Sequence, residues 1–346
     1  MQYIISALIL FTGFAQAEFI ELQTKQAIDN LRYITSDGKI TYYQTKSGDF
    51  SLSTNYKNYP LIKSKKLTHY QTKSSLAKKK ILISMDSDFF SYNNFNEYHD
   101  IYISDIGSKN VKKIAKGIPL NLHLDDDYVS IYKSKQNQIH FQELKSKRRI
   151  KIKLFNKVSP YFRPDTAMIS EQDVIYNDIN EKGEAAVLSY SNIEKKITPI
   201  FKSKIANSSL SFCYVDKNII VLEKSNDSSS QVTNIYFINA FNNEAYKKKD
   251  LIYSSTYNDI GNLICTNKDI YFIKTISYNS KINSKKTELA KINIKSKNLK
   301  VLKSDINPTQ VIVMDDLVLV PKNGKIYLAE GSANKLINDK IEKTKP

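Results

Sequence analysis

The chain has 346 residues, 41% of them hydrophobic and 25% charged, with a formal net charge of +17. That apolar content, which includes 23 tyrosines and 15 phenylalanines, is enough for a packed core and excludes wholesale disorder. Two cysteines exclude a scaffold built on disulfides, and beyond the first residues no apolar run approaches the roughly 20 residues of a membrane-spanning helix.

The chain opens MQYIISALILFTGFAQAEF, with apolar residues from Tyr3 to Phe11 and a small-x-small site at Ala15-Gln16-Ala17. This layout predicts a secretory signal peptide over 1–17, although no Lys or Arg precedes its apolar core. The expected compartment is the bacterial periplasm or the medium.

From there a short β-branched and aromatic run returns seven times. It reads GKITYYQT from Gly38, KKILISMD from Lys79, DDYVSIYK from Asp126 and QDVIYND from Gln172. KNIIVLEK from Lys217, KDIYFIKT from Lys268 and DDLVLVPK from Asp315 follow, the starts lying 41 to 51 residues apart. Each run is followed by a second strand-like run and a Lys-rich third, and most are preceded by a fourth. Alternation at period two dominates. Four short strands repeated at this spacing describe a β-propeller blade. The expected fold is therefore all-β: a seven-bladed β-propeller of four-stranded antiparallel blades. A six-bladed ring is the alternative, because the first repeat is the weakest match. Blades are expected near 27–66, 67–117, 118–157, 158–204, 205–255, 256–305 and 306–340. Residues 18–26 would complete a terminal blade, and 18–340 form one domain before a frayed tail at 341–346.

Candidate residues follow in chain order. In the second repeat, DFFSYNNFNEYH sets Phe89, Phe90, Tyr92, Phe95 and Tyr98 in one loop, suited to stacking on a sugar or docking a partner. In the third, LNLHLDDD places His123 and Asp125 on an innermost strand, where they could face the central channel. In the fourth, SPYFRPD (159–165) is read as the innermost strand, with Arg163 toward the channel and Asp165 opening the turn. That stretch, with DVIYND and GEAAVLSYS after it, resembles the repeat of TolB-type periplasmic propellers and of prolyl-oligopeptidase-type propeller domains. The resemblance implies the fold and a periplasmic setting, and Thr166 stands where those repeats carry glycine.

DINEKGE spaces Asp178, Asn180 and Gly183 as a calcium loop would, but Lys182 and Ser189 occupy ligand positions, so a hairpin turn is expected. In the fifth repeat Tyr214 aligns with Arg163 as a further channel candidate, and Cys213 with Phe162. Cys265, in the sixth, aligns one step later. Neighbours on a strand point to opposite faces, so the two thiols are not expected to pair. The sixth repeat's ISYNSKINSKK is read as a long loop that brings Tyr278 beside the aromatic loop of the second.

No Gly-x-Ser-x-Gly elbow and no His-Glu-x-x-His occurs. No catalytic residue, metal or cofactor is therefore assigned. The reading that results is an exported, monomeric, non-catalytic binding or scaffolding module of the cell envelope. Its expected partner is an envelope protein or an anionic glycan or lipid surface, with nucleic acid a lesser third. The alternative is a lyase or hydrolase acting on an anionic glycan in the channel.

Overall fold

The computed structural model describes residues 20–22, 30–34, 40–44, 50–54, 57–62, 70–74, 80–85, 100–105, 111–124, 126–146, 148–155, 164–179, 184–225, 227, 232–239, 249–256, 263–279, 284–302, 311–314, 317–322 and 325–330. Among them, 28 strands and one short 3-10 turn, Ser134–Gln136, make up seven four-stranded antiparallel sheets.

Strand β1 is Ile20–Leu22. The first sheet holds β2 (Asn30–Ile34), β3 (Ile40–Gln44), β4 (Phe50–Thr54) and β5 (Lys57–Ile62). The second holds β6 (Tyr70–Ser74), β7 (Lys80–Met85), β8 (Asp100–Asp105) and β9 (Val111–Lys116). The third is β10 (Ile118–His123), β11 (Tyr128–Lys133), β12 (Gln138–Glu143) and β13 (Arg149–Lys153). The fourth is β14 (Thr166–Met168), β15 (Asp173–Ile179), β16 (Ala185–Ser191) and β17 (Lys196–Lys202). The fifth is β18 (Ser208–Val215), β19 (Asn218–Ser225), β20 (Thr233–Asn239) and β21 (Lys249–Ser255). The sixth is β22 (Ile264–Cys265), β23 (Asp269–Asn279), β24 (Ser284–Asn293) and β25 (Leu299–Leu302). The seventh takes β26 (Ile312–Met314), β27 (Leu317–Lys322) and β28 (Lys325–Glu330), and borrows β1 as its outer strand. Ile20 pairs with Leu328 and Leu22 with Ile326, so the two ends of the chain are joined by a ladder. Each sheet lies within one of the spans expected from the repeat, and β1 fills the place expected of residues 18–26.

The second strands of the third to sixth sheets explain the packing. Residues alternating along them face the preceding sheet: Val129 and Ile131 in β11, Val174 and Tyr176 in β15, Ile219 and Val221 in β19, Ile270 and Phe272 in β23. Each pair is buried in a cluster shared with the sheet before it. The intervening residues face the sheet after, as Ile220 and Leu222 do. Both faces are covered, so the runs read as nearly continuous β-branched and aromatic stretches. Two steps past each pair, the row ends in a charged residue: Lys133, Asp178, Glu223 or Lys274.

Three expectations need correction. The innermost strand of the fourth sheet is Thr166–Met168, not 159–165, most of which lies outside the described residues. Ala167 pairs with Ile175 and Met168 with Val174. A tight antiparallel turn leaves room for only a few residues, here Ile169 to Gln172, so the strand has to abut β15. Asp165 accordingly precedes β14 rather than opening the turn out of it. The sixth-sheet "loop" is mostly paired strand: Tyr278 pairs with Lys285 and Asn279 with Ser284.

The third correction is that Cys213 and Cys265 form a disulfide, with Cα atoms 6.3 Å apart. Alternation forbids two adjacent positions of one strand from meeting, but these residues belong to different sheets. The fifth sheet presents one face to the sixth and the sixth presents its opposite face in return. A one-step offset between aligned strands is what brings two side chains together across that cleft. Cys213 lies beside Val215 in the cluster between these two sheets, and Cys265 is buried within it.

Glycine-poor turns carry a cost. Asp216 and Lys217 form the two-residue turn between β18 and β19 with φ of 46° and 67°, where hairpins favour Asn-Gly. Gly117, between β9 and β10, has φ of 134°, and a Cβ there would lie 2.8 Å from Ile131 Cγ2 and 3.0 Å from the Tyr132 carbonyl oxygen. Gly117→Ala is therefore expected to lower stability by about 1–3 kcal/mol. Lys217→Gly should raise it by up to about 1 kcal/mol. Urea unfolding midpoints of the two variants, moving in opposite directions, would check this.

Candidate functional site

The polar side chains of the inner strands are drawn into the clefts between sheets. In the third sheet a register shift between Pro119 and Asn121 turns Asn121 and His123 toward the fourth sheet. There the Ser130 hydroxyl stands at the centre of a network. It lies 2.9 Å from His123 Nε2 and 2.7 Å from Thr166 Oγ1, and it accepts the Asn121 N–H at 3.0 Å. Asn121 Nδ2 donates to the Thr166 carbonyl at 3.2 Å, tying β10 to β14.

A serine hydroxyl at hydrogen-bond distance from a histidine is the geometry of an activated nucleophile. The surroundings decide against that role. Ser130 is 0% exposed, and its oxygen is already met by three neighbouring side chains or backbone groups. The His123 ring leans on Phe141, 5.6 Å between centroids. Burial alone lowers the imidazole from 6.5 to about 3, so it is neutral at physiological pH. The pair closes an interface and offers a substrate no approach.

The next cleft repeats the theme with other residues. Asp165 donates its N–H to Asn177 Oδ1 at 2.7 Å and accepts the Phe212 N–H on its carboxylate at 3.0 Å. Asn177, 2% exposed, donates its amide to the Leu210 carbonyl at 2.5 Å. Asp165 and Asn177 together bolt the fourth sheet to the innermost strand of the fifth.

The charged ends of three second strands clasp the preceding sheets. Asp178 accepts the N–H groups of Phe155 and Ile179, both at 2.8 Å. Burial raises its pKa while those two bonds oppose the rise. Glu223 accepts from Ser203 at 2.5 Å, Tyr236 at 3.1 Å and Asn234 at 3.2 Å. Burial, then the Glu223 charge, pushes the Tyr236 phenol up to about 12. Lys133 donates to the carbonyl of Lys116 on β9. Between the sixth and seventh sheets, Lys291 lies 2.5 Å from Glu330, and Tyr271 donates to the same carboxylate at 3.1 Å.

Of the residues expected to form a site, His123 is in the third cleft as described, and Tyr214 packs against the core between the fourth and fifth sheets. Asp125, Arg163, Phe89, Phe90, Tyr92, Phe95 and Tyr98 lie outside the described residues. Tyr278 is placed only by its strand pairing. The Ser130 and Asn177 networks join residues up to 47 positions apart and leave no local motif to find. Asp178, within β15, accepts two backbone N–H groups, and residues 180–183 of the same stretch lie outside the described residues.

No family model matches this sequence, and no curated protein does. Solved structures do match in fold. The tricorn protease superposes with a TM-score of 0.60 at 12% identity, over 90% of this chain and 34% of its own, so this chain spans about a third of that protein. An oligogalacturonate lyase in complex with manganese gives 0.56 at 9% identity, over 92% of this chain and 97% of the lyase. The β-propeller domain of Swd1 from Myceliophteria thermophila gives 0.52 at 10% identity, over 90% and 98%. The chain therefore has a propeller-type fold.

Two buried neutral histidines make stability acid-sensitive with a definite sign. The unfolded chain protonates His123 near its ordinary 6.5, whereas the folded chain resists protonation down to about 3. His140 behaves alike, lowered to about 4 by burial and then by Lys133, Lys151 and Arg149. Stability is complete above pH 6.5 and is lost as pH falls through that window. From pH 7 to 5 each histidine should cost about 2 kcal/mol. His123→Gln keeps a donor for Ser130 and cannot titrate, so it should remove about half of that loss in urea titrations at the two pH values.

Proposed function

We propose that the chain is an exported, seven-bladed, non-catalytic propeller that binds or scaffolds a partner in a bacterial envelope. The observation that carries this reading is the division of labour among its polar groups. Among the described residues, the polar groups of the inner strands, including the one serine–histidine pair, lie in networks between sheets. The unpaired cations stand at the rim: Lys112, Lys151, Lys153, Lys202 and Lys300 are all exposed on outermost strands. Chemistry done by side chains needs reactive groups that a substrate can touch, and binding needs an accessible, charge-biased surface.

Two features support export. The first 17 residues have the layout of a cleaved leader. The Cys213–Cys265 bridge is of the kind that persists in oxidising compartments. Seven four-stranded sheets among the described residues, the last completed by β1 beside β28, support the seven-bladed reading.

Expression of the whole sequence in a Gram-negative host checks the reading. Protein from the periplasmic fraction should begin at Glu18 and carry no free thiol by mass spectrometry. In-envelope crosslinking should capture a specific partner. Protein confined to the cytoplasm, uncleaved and reduced, would defeat the export claim.

A further inference from the structure

The outer edge of the third sheet differs from the other six. In β13 the residues alternate: Arg149, Lys151 and Lys153 are exposed, while Ile150 and Ile152 are buried against the fourth sheet. No other outermost strand carries a cation at three alternate positions. The surrounding segment, KSKRRIKIK from Lys145, holds six cations in nine residues. It also holds two of the four arginines in a chain that otherwise uses lysine, and guanidinium is the group that pairs bidentately with carboxylates.

Backbone geometry doubles the signal. The Glu143 N–H donates to the Arg148 carbonyl and the Leu154 N–H to the Asn137 carbonyl, both at 2.9 Å. Hydrogen-bonded pairs alternate along an antiparallel ladder. With Gln142 opposite Arg149 and Gln138 opposite Lys153, the groups turned toward β12 are those of Ile150 and Ile152. The N–H and C=O groups of Arg149, Lys151 and Lys153 therefore point away from the sheet, on the same residues that carry the cations. Among the described residues no strand lies beyond β13. Lys151 and Lys153 have no hydrogen-bond or ion-pair partner there, and Arg149 Nε reaches only Gln142. The same face bears Lys133, and the charges acting on buried His140 beneath it are Lys133, Lys151 and Arg149, with no carboxylate among them.

We infer that the free edge of β13 receives an extended acidic segment of a partner protein by strand addition. Side chains on one face of a strand recur every two residues, about 6.8 Å. A partner strand with Asp or Glu at alternate positions would set one carboxylate beside each of Arg149, Lys151 and Lys153, while its backbone completes the edge hydrogen bonds. The lysines repel basic strands and would lose hydration against neutral ones, which guards the edge against aggregation, and the same charges select an acidic one. This rests on the binding reading above and specifies the partner's chemistry.

Two synthetic peptides of identical composition test it, one with Glu alternating with Thr and Val, the other with the glutamates in one block. Binding to the mature protein is measured by titration at low and physiological salt. The alternating peptide should bind several-fold more tightly than the blocked one. Lys151→Ala should weaken it roughly two- to fivefold. Lys151→Pro removes the same charge and also the outward N–H, without touching the β12 ladder, and should abolish binding while the melting temperature stays near that of Lys151→Ala. Equal binding of both peptides, or equal effects of the Ala and Pro variants, would overturn strand addition in favour of a diffuse polyanion surface. So would binding of heparin or of vesicles rich in anionic phospholipid in the absence of peptide binding. Partner capture from the envelope by Lys151→Pro at the wild-type level would overturn this inference while leaving the binding reading intact.

Discussion

Burial of both faces of the second strands β11, β15, β19 and β23 is the constraint on which the rest of the structure depends. A four-stranded sheet with two apolar faces is insoluble alone, and each neighbour that covers one face exposes another of its own. The sequence of sheets is satisfied only if the last also meets the first, and the ladder between β1 and β28 joins the two ends of the chain that closure requires. The interior clusters are accordingly not one core but a succession of clefts, each owned by two sheets.

A succession of apolar clefts says little about how far one sheet slides or tilts on the next, because hydrophobic contact is non-directional. The polar pairs supply that direction. Asn177 and Asp165 bridge the fourth and fifth sheets, Lys291 and Glu330 the sixth and seventh, and Cys213 is bonded to Cys265 between the fifth and sixth. Each is chemically different, although the apolar rows around them are nearly identical. That pattern suits a repeat protein: the common row gives stacking, and the private bond between each pair of sheets sets its register. Removing a half-buried acceptor such as the Asp165 carboxylate strands the Phe212 N–H, which is why these polar groups are costly to lose even where each bond contributes modestly.

The repeat and its phase were legible because they rest on local alternation. Val-x-Ile-x-Lys at 129–133, Val-x-Tyr-x-Asp at 174–178, Ile-x-Val-x-Glu at 219–223 and Ile-x-Phe-x-Lys at 270–274 are visible in one dimension. What was not legible depends on relations between sheets. The disulfide was missed because parity was counted along a strand when it had to be counted across a cleft. The innermost strand of the fourth sheet, Thr166-Ala167-Met168, is short and carries no signal of its own, whereas Ser-Pro-x-x-x-Pro-Asp just before it carries two prolines. His123 is a channel candidate because it lies on an innermost strand; the shift between Pro119 and Asn121 turns it toward the fourth sheet. A register shift leaves no mark in composition.

Charge closes the account, and it sorts by depth. Near the hub, ionisable groups survive only when held: Glu223 by three donors and Asp178 by two backbone N–H groups. At the rim a lysine needs no partner, since its ammonium stays hydrated while its stem covers apolar surface. A compositional drift toward lysine can therefore load outermost strands at little energetic cost, and most of the net charge of +17 needs no further explanation. Arg149 resists that account. Drift of this kind replaces arginine rather than concentrating it, and a neutral histidine buried beneath a row of cations is a poor place to add one. The choice of guanidinium at the start of β13 is thus evidence about geometry, since the planar fork is the one cationic group here that specifies the orientation of what it meets.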